Sequence, residues 1–309
     1  MRNIMQQRLG QLSDIDLRLL KVFRVVVECG GISAAEVELN IGRSTISRHV
    51  KDLEIRLGVN LCQRGRAGFV LSPEGQHVYQ SSLRLMGALD EFRADVQSLH
   101  RDMTGNLAIA LFDKTVTNQQ AKISQALQLF DQRAPKVTLD LYVETLSVIE
   151  SGVIEGRFHL GVVPGQRQSA SLNYQFLFDE RMSLYCGYHH PLFSRSDITI
   201  GPEEIVGQKY AGLGHHSPNM DTSQRFGFQR HATAYDQEAI ATLLLSGSYL
   251  AYLPEHYARS FIEQGLIRPL GGEQFSYHCP FLAVTRVSPK PSRILACFIE
   301  CLTQVHLSS

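Results

Sequence analysis

The sequence predicts a protein in three parts: a mainly α-helical winged helix-turn-helix, one long linker helix, and an α/β region. Residues 32–66 show the pattern of a helix, a tight turn, a second helix with a basic outer face, and a short basic hairpin. An apolar seam with steps of three and four follows. From residue 106 onward strands and helices alternate, which favours parallel sheets with helices on both faces.

The first element of the helix-turn-helix begins at residue 32. Ser33 and Glu36 fit a capping box, in which each side chain satisfies a free backbone N–H group. Residues 40–42 then form the turn. The short helix between them, residues 34–39, is expected to pack through Ala35, Val37 and Leu39.

The second helix, residues 43–57, is the predicted recognition helix. Ile46, Val50, Leu53 and Leu57 recur at helical spacing and should face the core, and Gly58 ends the helix. Arginine can bind guanine through two hydrogen bonds, and small hydroxyls can reach bases or phosphates. The candidate DNA-binding residues of this helix are Arg43, Ser44, Thr45, Ser47, Arg48 and Lys51.

The predicted wing covers residues 60–71. Arg64 and Arg66 flank Gly65 at its tip, which suits phosphate contacts. Residues 40–66 contain six basic and two acidic side chains, although the whole chain has 30 of each sign and a formal net charge of zero. The expected attraction to DNA is therefore local. The spacing alone also fits an ordinary small helical core with a solvated charged face.

Ser72 can cap the long helix, and Pro73 suits its first position. The helix covers about 28 residues, or ~40 Å, which is long for a helix lying on its own domain. The pattern therefore predicts pairing with the same helix of a second chain. The apolar seam consists of Val78, Leu85, Leu89, Phe92, Val96, Leu99 and Met103, with Ser82 as its polar member.

Residues 16–75 resemble the LysR-type transcriptional regulators. The resemblance depends on Ile32-Ser33-Ala34-Ala35, Ser44-Thr45-Ile46-Ser47-Arg48, Leu53-Glu54, Leu57-Gly58, Leu61, Arg64 and Leu71-Ser72-Pro73-Glu74-Gly75. Cys62 replaces the usual Phe, and Arg43 and Ser44 replace common Gln and Pro, which should alter the bases that are read. The resemblance implies a DNA-binding domain at 1–72, a linker and dimerisation helix at 73–104, and an effector-binding domain at 105–309.

The resemblance also implies that the effector-binding domain has two lobes, like a periplasmic solute-binding protein. The first lobe would comprise residues 105–178 and 276–309, and the second residues 179–275. Small ligands favour the cleft between such lobes. Helix starts near Asn118 and Ser147 favour anions, whereas Asp113 favours a cation. The candidate effector-binding residues are Phe112, Asp113, Thr115, Thr145, Ser147, Pro164, Gly214, His215 and Ser217.

The expected partners are promoter DNA, an unidentified small-molecule effector and further copies of the chain in a homodimer or homotetramer, with RNA polymerase as a candidate. No cofactor, enzymatic activity or metal is expected. Gly212-Leu213-Gly214 lacks the third glycine of a dinucleotide fingerprint, and the pairs His189-His190 and His215-His216 have poor geometry for a chelate.

The six cysteines form no Cys-x-x-Cys pair, and no signal peptide or membrane-length apolar run is seen, so a reducing cytoplasm without membrane association is expected. Two other classes of protein remain open. They are a solute-binding or transport protein, and a metabolic enzyme with an accessory helical domain.

Overall fold

The computed structural model describes residues 12–65, 68–97, 103–165, 168–196, 199–214 and 217–307. Its contacts divide the chain into two compact units. The first extends to Arg93 and includes Glu155–Arg157, and the second comprises Ala94–Ile154 and the chain from Phe158 onward. No helix among these residues is both long and apolar enough to cross a membrane.

The first unit contains a winged helix-turn-helix, as predicted. Its two strands form an antiparallel hairpin in which Cys62 pairs with Leu71. The core lies between the helices and includes Phe23, Ile46 and Leu53, all with no exposed surface. The elements are α1 (Asp14–Glu28), α2 (Ile32–Leu39), α3 (Arg43–Leu57), β1 (Cys62–Gly65), β2 (Gly68–Leu71) and α4 (Pro73–Gln97).

The start of α2 differs from the prediction. The helix begins at Ile32 after Gly31 and has no side-chain cap, so the capping box of Ser33 and Glu36 was wrong. Glu36 instead accepts a hydrogen bond at 2.6 Å from the backbone nitrogen of Arg43 and thereby stabilises the start of α3. Val37 is 88% exposed because it lies about 200° around the helix from the buried Ala35.

A buried carboxylate connects α1 to α3. Asp16 is only 2% exposed, and its Oδ2 accepts hydrogen bonds from the Ser13 amide at 2.8 Å and the Ser13 hydroxyl at 2.7 Å. The Arg56 guanidinium donates to both oxygens of the same carboxylate. The Arg56 and Ser13 hydrogen bonds hold the pKa of Asp16 well below its usual range.

Asp16→Asn is expected to destabilise the first unit by roughly 1–3 kcal/mol at neutral pH, because hydrogen bonds to a charged acceptor are lost. A carboxylate with a lowered pKa contributes stability above its unfolded pKa, about 3.9, and loses that contribution as the pH falls toward the folded value. The difference between wild type and variant should therefore shrink below about pH 4. Urea unfolding, monitored by circular dichroism at several pH values, measures this difference in the free energy of unfolding. A pH-independent difference would contradict this account.

The long helix α4 begins as predicted. The Ser72 hydroxyl accepts a hydrogen bond at 2.8 Å from the Gly75 amide. The first part of the predicted seam packs against the core of its own unit, where Met86 is buried with Val78, Leu85 and Leu89 around it. Met86 is therefore covered without a second chain, whereas Val78, Leu85 and Leu89 are half-buried.

The end of the seam is different. Phe92 is 66% and Val96 45% exposed, so the later part of α4 offers apolar surface to a partner. Leu99 lies outside the described residues, and Met103 packs against the core of the second unit. Pairing of two chains through this helix stays a prediction.

The second unit contains the α/β region. Its cores lie on both faces of one sheet. Its elements are β3 (Gly105–Leu111), α5 (Ile123–Arg133), β4 (Val137–Val143), α6 (Leu146–Glu155), β5 (Leu160–Pro164), β6 (Leu172–Gly187), α7 (Pro202–Val206), β7 (Tyr210–Leu213), α8 (Pro218–Phe226), β8 (Arg230–Ala234), α9 (Gln237–Leu245), β9 (Leu250–Pro254), α10 (Glu255–Glu263), β10 (Ile267–Pro269), β11 (Ser276–Arg286) and α11 (Arg293–Leu307).

Within the described ranges the sheet has nine strands in the order β4-β3-β5-β11-β6-β9-β7-β8, with β10 beside β6. The outer strands β3 to β5 and β7 to β9 pair in parallel. The long strands β6 and β11 run antiparallel to each other and to their neighbours. The sheet is therefore mixed rather than parallel, because the chain crosses between its two lobes once in each direction.

One further expectation for this unit is corrected. The helix expected from residue 118 begins at Ile123 after two short 3₁₀ turns. The Asn118 side chain itself accepts the Gln120 amide at 2.9 Å, so no α-helix start offers free N–H groups there. In β4, the apolar residues Leu139, Leu141 and Val143 are exposed because the strand lies at the sheet edge.

Candidate DNA-binding surface and effector cleft

The exposed face of α3 carries the predicted DNA-contacting side chains. Ile46, Val50 and Leu53 are fully buried on the opposite face, which sets the helix rotation. As a result Arg43, Ser44, Arg48 and Lys51 are exposed, and Thr45 and Ser47 are half-buried at the flanks. The helix presents three hydroxyls and three cations beside them, which is suitable for base and phosphate contacts.

Two carboxylates, Glu36 and Glu54, position this helix through contacts that the sequence did not predict. Glu36 binds the Arg43 amide, as described above. Glu54 is buried, accepts the Leu61 amide at 2.9 Å and lies 3.7 Å from the Lys51 ammonium. Glu54 therefore connects the end of α3 to the beginning of the wing. In the sequence, this role of Glu54 is indicated only by an acidic residue within a mainly basic helix.

The wing forms the predicted hairpin. Arg64 lies in β1 opposite Phe69, so its backbone position is near the hairpin tip. Arg66 lies outside the described residues. The roles of both arginines stay predictions.

The second unit has a cavity of about 30 Å³ between its lobes. Three of the predicted effector-binding residues line it, namely Phe112, Pro164 and Ser217. They come from the ends of β3 and β5 and from the start of α8, so segments of both lobes meet at the cavity.

Other predicted effector residues lie elsewhere. Thr115 is buried, and its hydroxyl donates to the Phe112 carbonyl at 2.5 Å. Thr145 and Ser147 are exposed, and Gly214 does not line the cavity; its amide donates to the Ala234 carbonyl at 2.8 Å. His215 lies outside the described residues.

Asp113 takes part in contacts between the lobes instead of lining the cavity. Its Oδ2 accepts a hydrogen bond at 2.8 Å from the backbone N–H of Gln237, at the start of α9. The adjacent Lys114 ammonium lies 3.1 Å from Glu238. Together with a 2.7 Å hydrogen bond between Thr117 and His256, these pairs are here named the lobe contacts. They hold the lobes together beside the small cavity.

The sequence reasoning missed most of the cavity lining. Several of these residues lie on β6 and β11, the strands that cross between the lobes. The missed lining residues are Glu180, Met182, Leu213, Pro218, Asn219, Gln237, Tyr277, Cys279 and Phe281.

A second hollow, of about 560 Å³, lies on the second lobe between Pro202 and Phe275. Although it is larger, its walls come from one lobe, so lobe closure would not change it directly. Volume alone therefore does not select the effector site. No cluster of three potential metal ligands is present among the described residues.

Two buried thiols are expected to resist reaction. Burial raises the pKa of Cys279 to about 12 and that of Cys301 to about 11. Because the thiolate is the reactive form, both should be alkylated by iodoacetamide at pH 8 far more slowly in the folded chain than in urea. Mass spectrometry of the labelled peptides measures the rates. Rapid labelling of either thiol in the folded chain would contradict the burial argument.

The comparisons with known proteins agree for both units. Residues 17–76 match the model of the bacterial regulatory helix-turn-helix protein, lysR family, and residues 101–306 match the LysR substrate binding domain. The chain is 40% identical over 294 residues to the HTH-type transcriptional activator BauR of Pseudomonas aeruginosa, covering 95% of this chain and 96% of BauR. It is 26% identical to the transcriptional regulator CrgA of Neisseria meningitidis, covering 92% and 95%.

Solved structures show the same fold. The LysR family regulator CbnR has a TM-score of 0.66 at 20% identity, covering 94% of this chain and 99% of CbnR. A full-length OxyR variant from Pseudomonas aeruginosa has a TM-score of 0.64 at 17% identity, covering 95% of each chain.

Proposed function

Because the chain belongs to the LysR family and is a DNA-binding transcriptional regulator with a substrate-binding domain, we propose that a small molecule in the cleft between its lobes controls its action on promoters. The main observation in support of this proposal is that one chain contains two features. These are a helix with an exposed cationic face in the first unit, and a cavity lined by both lobes in the second.

The DNA-binding part is supported by the charges on α3. Arg43, Arg48 and Lys51 are exposed, and the rigid core on the other face prevents the helix from rotating. The assigned roles are base reading by Arg48 with the neighbouring hydroxyls, and phosphate contacts by Lys51 and by Arg64 and Arg66 of the wing.

The regulatory part is supported by the lobe contacts and the small cavity. The cavity offers only about 30 Å³, so we assign the entry of an effector to an arrangement in which the lobes are further apart. Binding would then shift the population between lobe arrangements. In an oligomer, that shift changes the spacing of the DNA-binding units.

Several finer features are part of the same proposal. CbnR has been solved in complex with its target DNA, and promoter DNA is the assigned partner here as well. The chain forms a homodimer or homotetramer, for which Phe92 and Val96 and the exposed edge of β4 offer apolar surface.

BauR is a transcriptional activator, and we assign activation to this chain, with RNA polymerase as the further partner. It acts in the cytoplasm, where the chromosome is.

The experiment has two steps. A thermal-shift screen of metabolites on the full chain identifies a compound that stabilises the native state by mass action. Selection of DNA sites by the full chain, followed by footprinting with and without this compound, then measures the response. We expect a change in affinity or footprint. A compound that stabilises the chain yet leaves both unchanged would defeat the regulatory part, and binding to all sequences alike would defeat the promoter-specific part.

A further inference from the structure

The polar lining of the cleft cavity contains two buried hydrogen-bond acceptors. Gln237 is 5% exposed, and its side-chain oxygen has no hydrogen-bond partner among the described residues. Glu180 is 6% exposed and lines the same cavity. A buried acceptor without a donor costs free energy, and native proteins usually satisfy such groups. The cavity therefore offers acceptors for donors that a bound molecule would bring.

Glu180 is held firmly in place. It lies on β6 opposite Cys279 of β11, where the two crossing strands pair. Its Oε1 is 2.7 Å from His256 Nε2, and His256 Nδ1 is in turn 2.7 Å from the Thr117 hydroxyl. No hydrogen bond to the second carboxylate oxygen, Oε2, is seen within the described part of the chain. A fixed carboxylate oxygen therefore remains available at the cavity.

The rest of the lining makes a carboxylate here selective for positive charge. Phe112 and Phe281 lie with ring centroids 6.2 Å apart, and Met182 and Leu213 are further apolar lining residues. Charges interact more strongly in such an apolar environment than in water. The described lining contains no Lys, Arg or His, and His256, which lies outside this lining, contacts only the Oε1 atom of Glu180 among the described hydrogen bonds.

We propose that the effector of this cleft carries a protonated amino group, which donates hydrogen bonds to the Glu180 carboxylate and to the side-chain oxygen of Gln237. The proposal rests on the proposed function of the cleft as an effector site. A compact molecule requires the smallest separation of the lobes. Ser217 and Asn219 at the start of α8 add a hydroxyl and an amide donor to the lining. The test therefore also shows whether the effector carries a hydrogen-bond acceptor group beside its amino group.

The test uses the full chain and matched small compounds. Propylamine, propionic acid, propanol and amino acids of three to five carbons are compared by thermal shift and by calorimetric titration, and the best binder is compared with its N-acetylated form. Glu180→Gln keeps the shape and removes the charge, whereas Gln237→Met removes the acceptor. Glu263→Gln changes an exposed carboxylate of α10 as the control. Melting temperature without ligand and DNA binding check that each variant folds.

The expected best binder carries a free amino group and loses affinity on acetylation. Glu180→Gln should weaken its Kd roughly 10- to 100-fold, Gln237→Met should weaken it less, and Glu263→Gln should leave it unchanged. If the best binder lacks an amino group, or binds Glu180→Gln as tightly as wild type, the proposal is overturned while the effector site itself stands. If none of these compounds binds, this proposal fails, whereas the small-molecule part of the proposed function fails only if the metabolite screen also finds no binder.

Discussion

Gly75→Ala is expected to destabilise the first unit by about 3 kcal/mol, the upper end of the usual cost of overpacking. A Cβ atom on Gly75 would lie 1.8 Å from the Leu61 carbonyl oxygen and 2.7 Å from its carbonyl carbon. Leu61 cannot yield easily, because its amide binds Glu54 at 2.9 Å and its carbonyl accepts the Ser72 amide at 3.0 Å. The added methyl must therefore push α4 away from the start of the wing.

Thermal unfolding by circular dichroism measures the loss, and hydrogen exchange of peptides covering residues 58–76 locates it. Gly42→Ala is the matched control, because a Cβ there meets no atom within 4 Å and its φ of −64° is ordinary. It should cost less than about 1 kcal/mol, since glycine is only a moderately better helix cap than alanine. Equal losses in the two variants would refute the close contact between Gly75 and Leu61.

Arg48→Ala is expected to cost about 1–3 kcal/mol of specific DNA affinity and to relax the sequence preference at one position, because the exposed guanidinium is assigned to a base. Arg64→Ala should instead weaken binding to all sequences alike. It should also lower the slope of log K against log salt by about one unit, as loss of one phosphate contact requires. The two variants therefore distinguish recognition helix from wing.

Fluorescence-anisotropy titrations on specific and scrambled DNA at several salt concentrations measure the sequence preference and the salt slope. Arg259→Ala, which removes an exposed cation from the second unit, is the control and should leave the sequence preference and the salt slope nearly unchanged. The reverse pattern, with Arg64 controlling sequence preference and Arg48 only the salt slope, would mean that the two roles are exchanged.

The recognition helix was predictable because its determinants are local. Ile46, Val50 and Leu53 repeat at helical spacing and are buried as expected, and the chain leaves the helix at Gly58, with a φ of 69°. The capping box at Ser33 failed because the helix starts two residues earlier, at Ile32, so Ser33 lies inside its first turn. Only the packing of α2 against α3 shows that Glu36 serves the Arg43 amide.

The effector cleft was predictable only in part. Phe112 and Pro164 were found because they end or follow buried strands, where the apolar pattern is strong. Glu180 and Gln237 were missed. Glu180 lies in the middle of β6, whose first half has no clear alternation of buried residues, and Gln237 follows β8, which is short and mostly exposed. Neither residue has a local pattern that marks it.

The sequence by itself determined the winged helix-turn-helix, its cationic face, the following long helix and the strand–helix alternation, because local spacing, caps and charge specify these features. Only the tertiary structure decided which carboxylates are buried, that Asp113 connects the lobes to each other, and that Glu180 and Gln237 share one cavity. The physical reason is that burial and hydrogen-bond satisfaction depend on partners distant in the chain. Asp113 and Gln237, for example, meet across 124 positions.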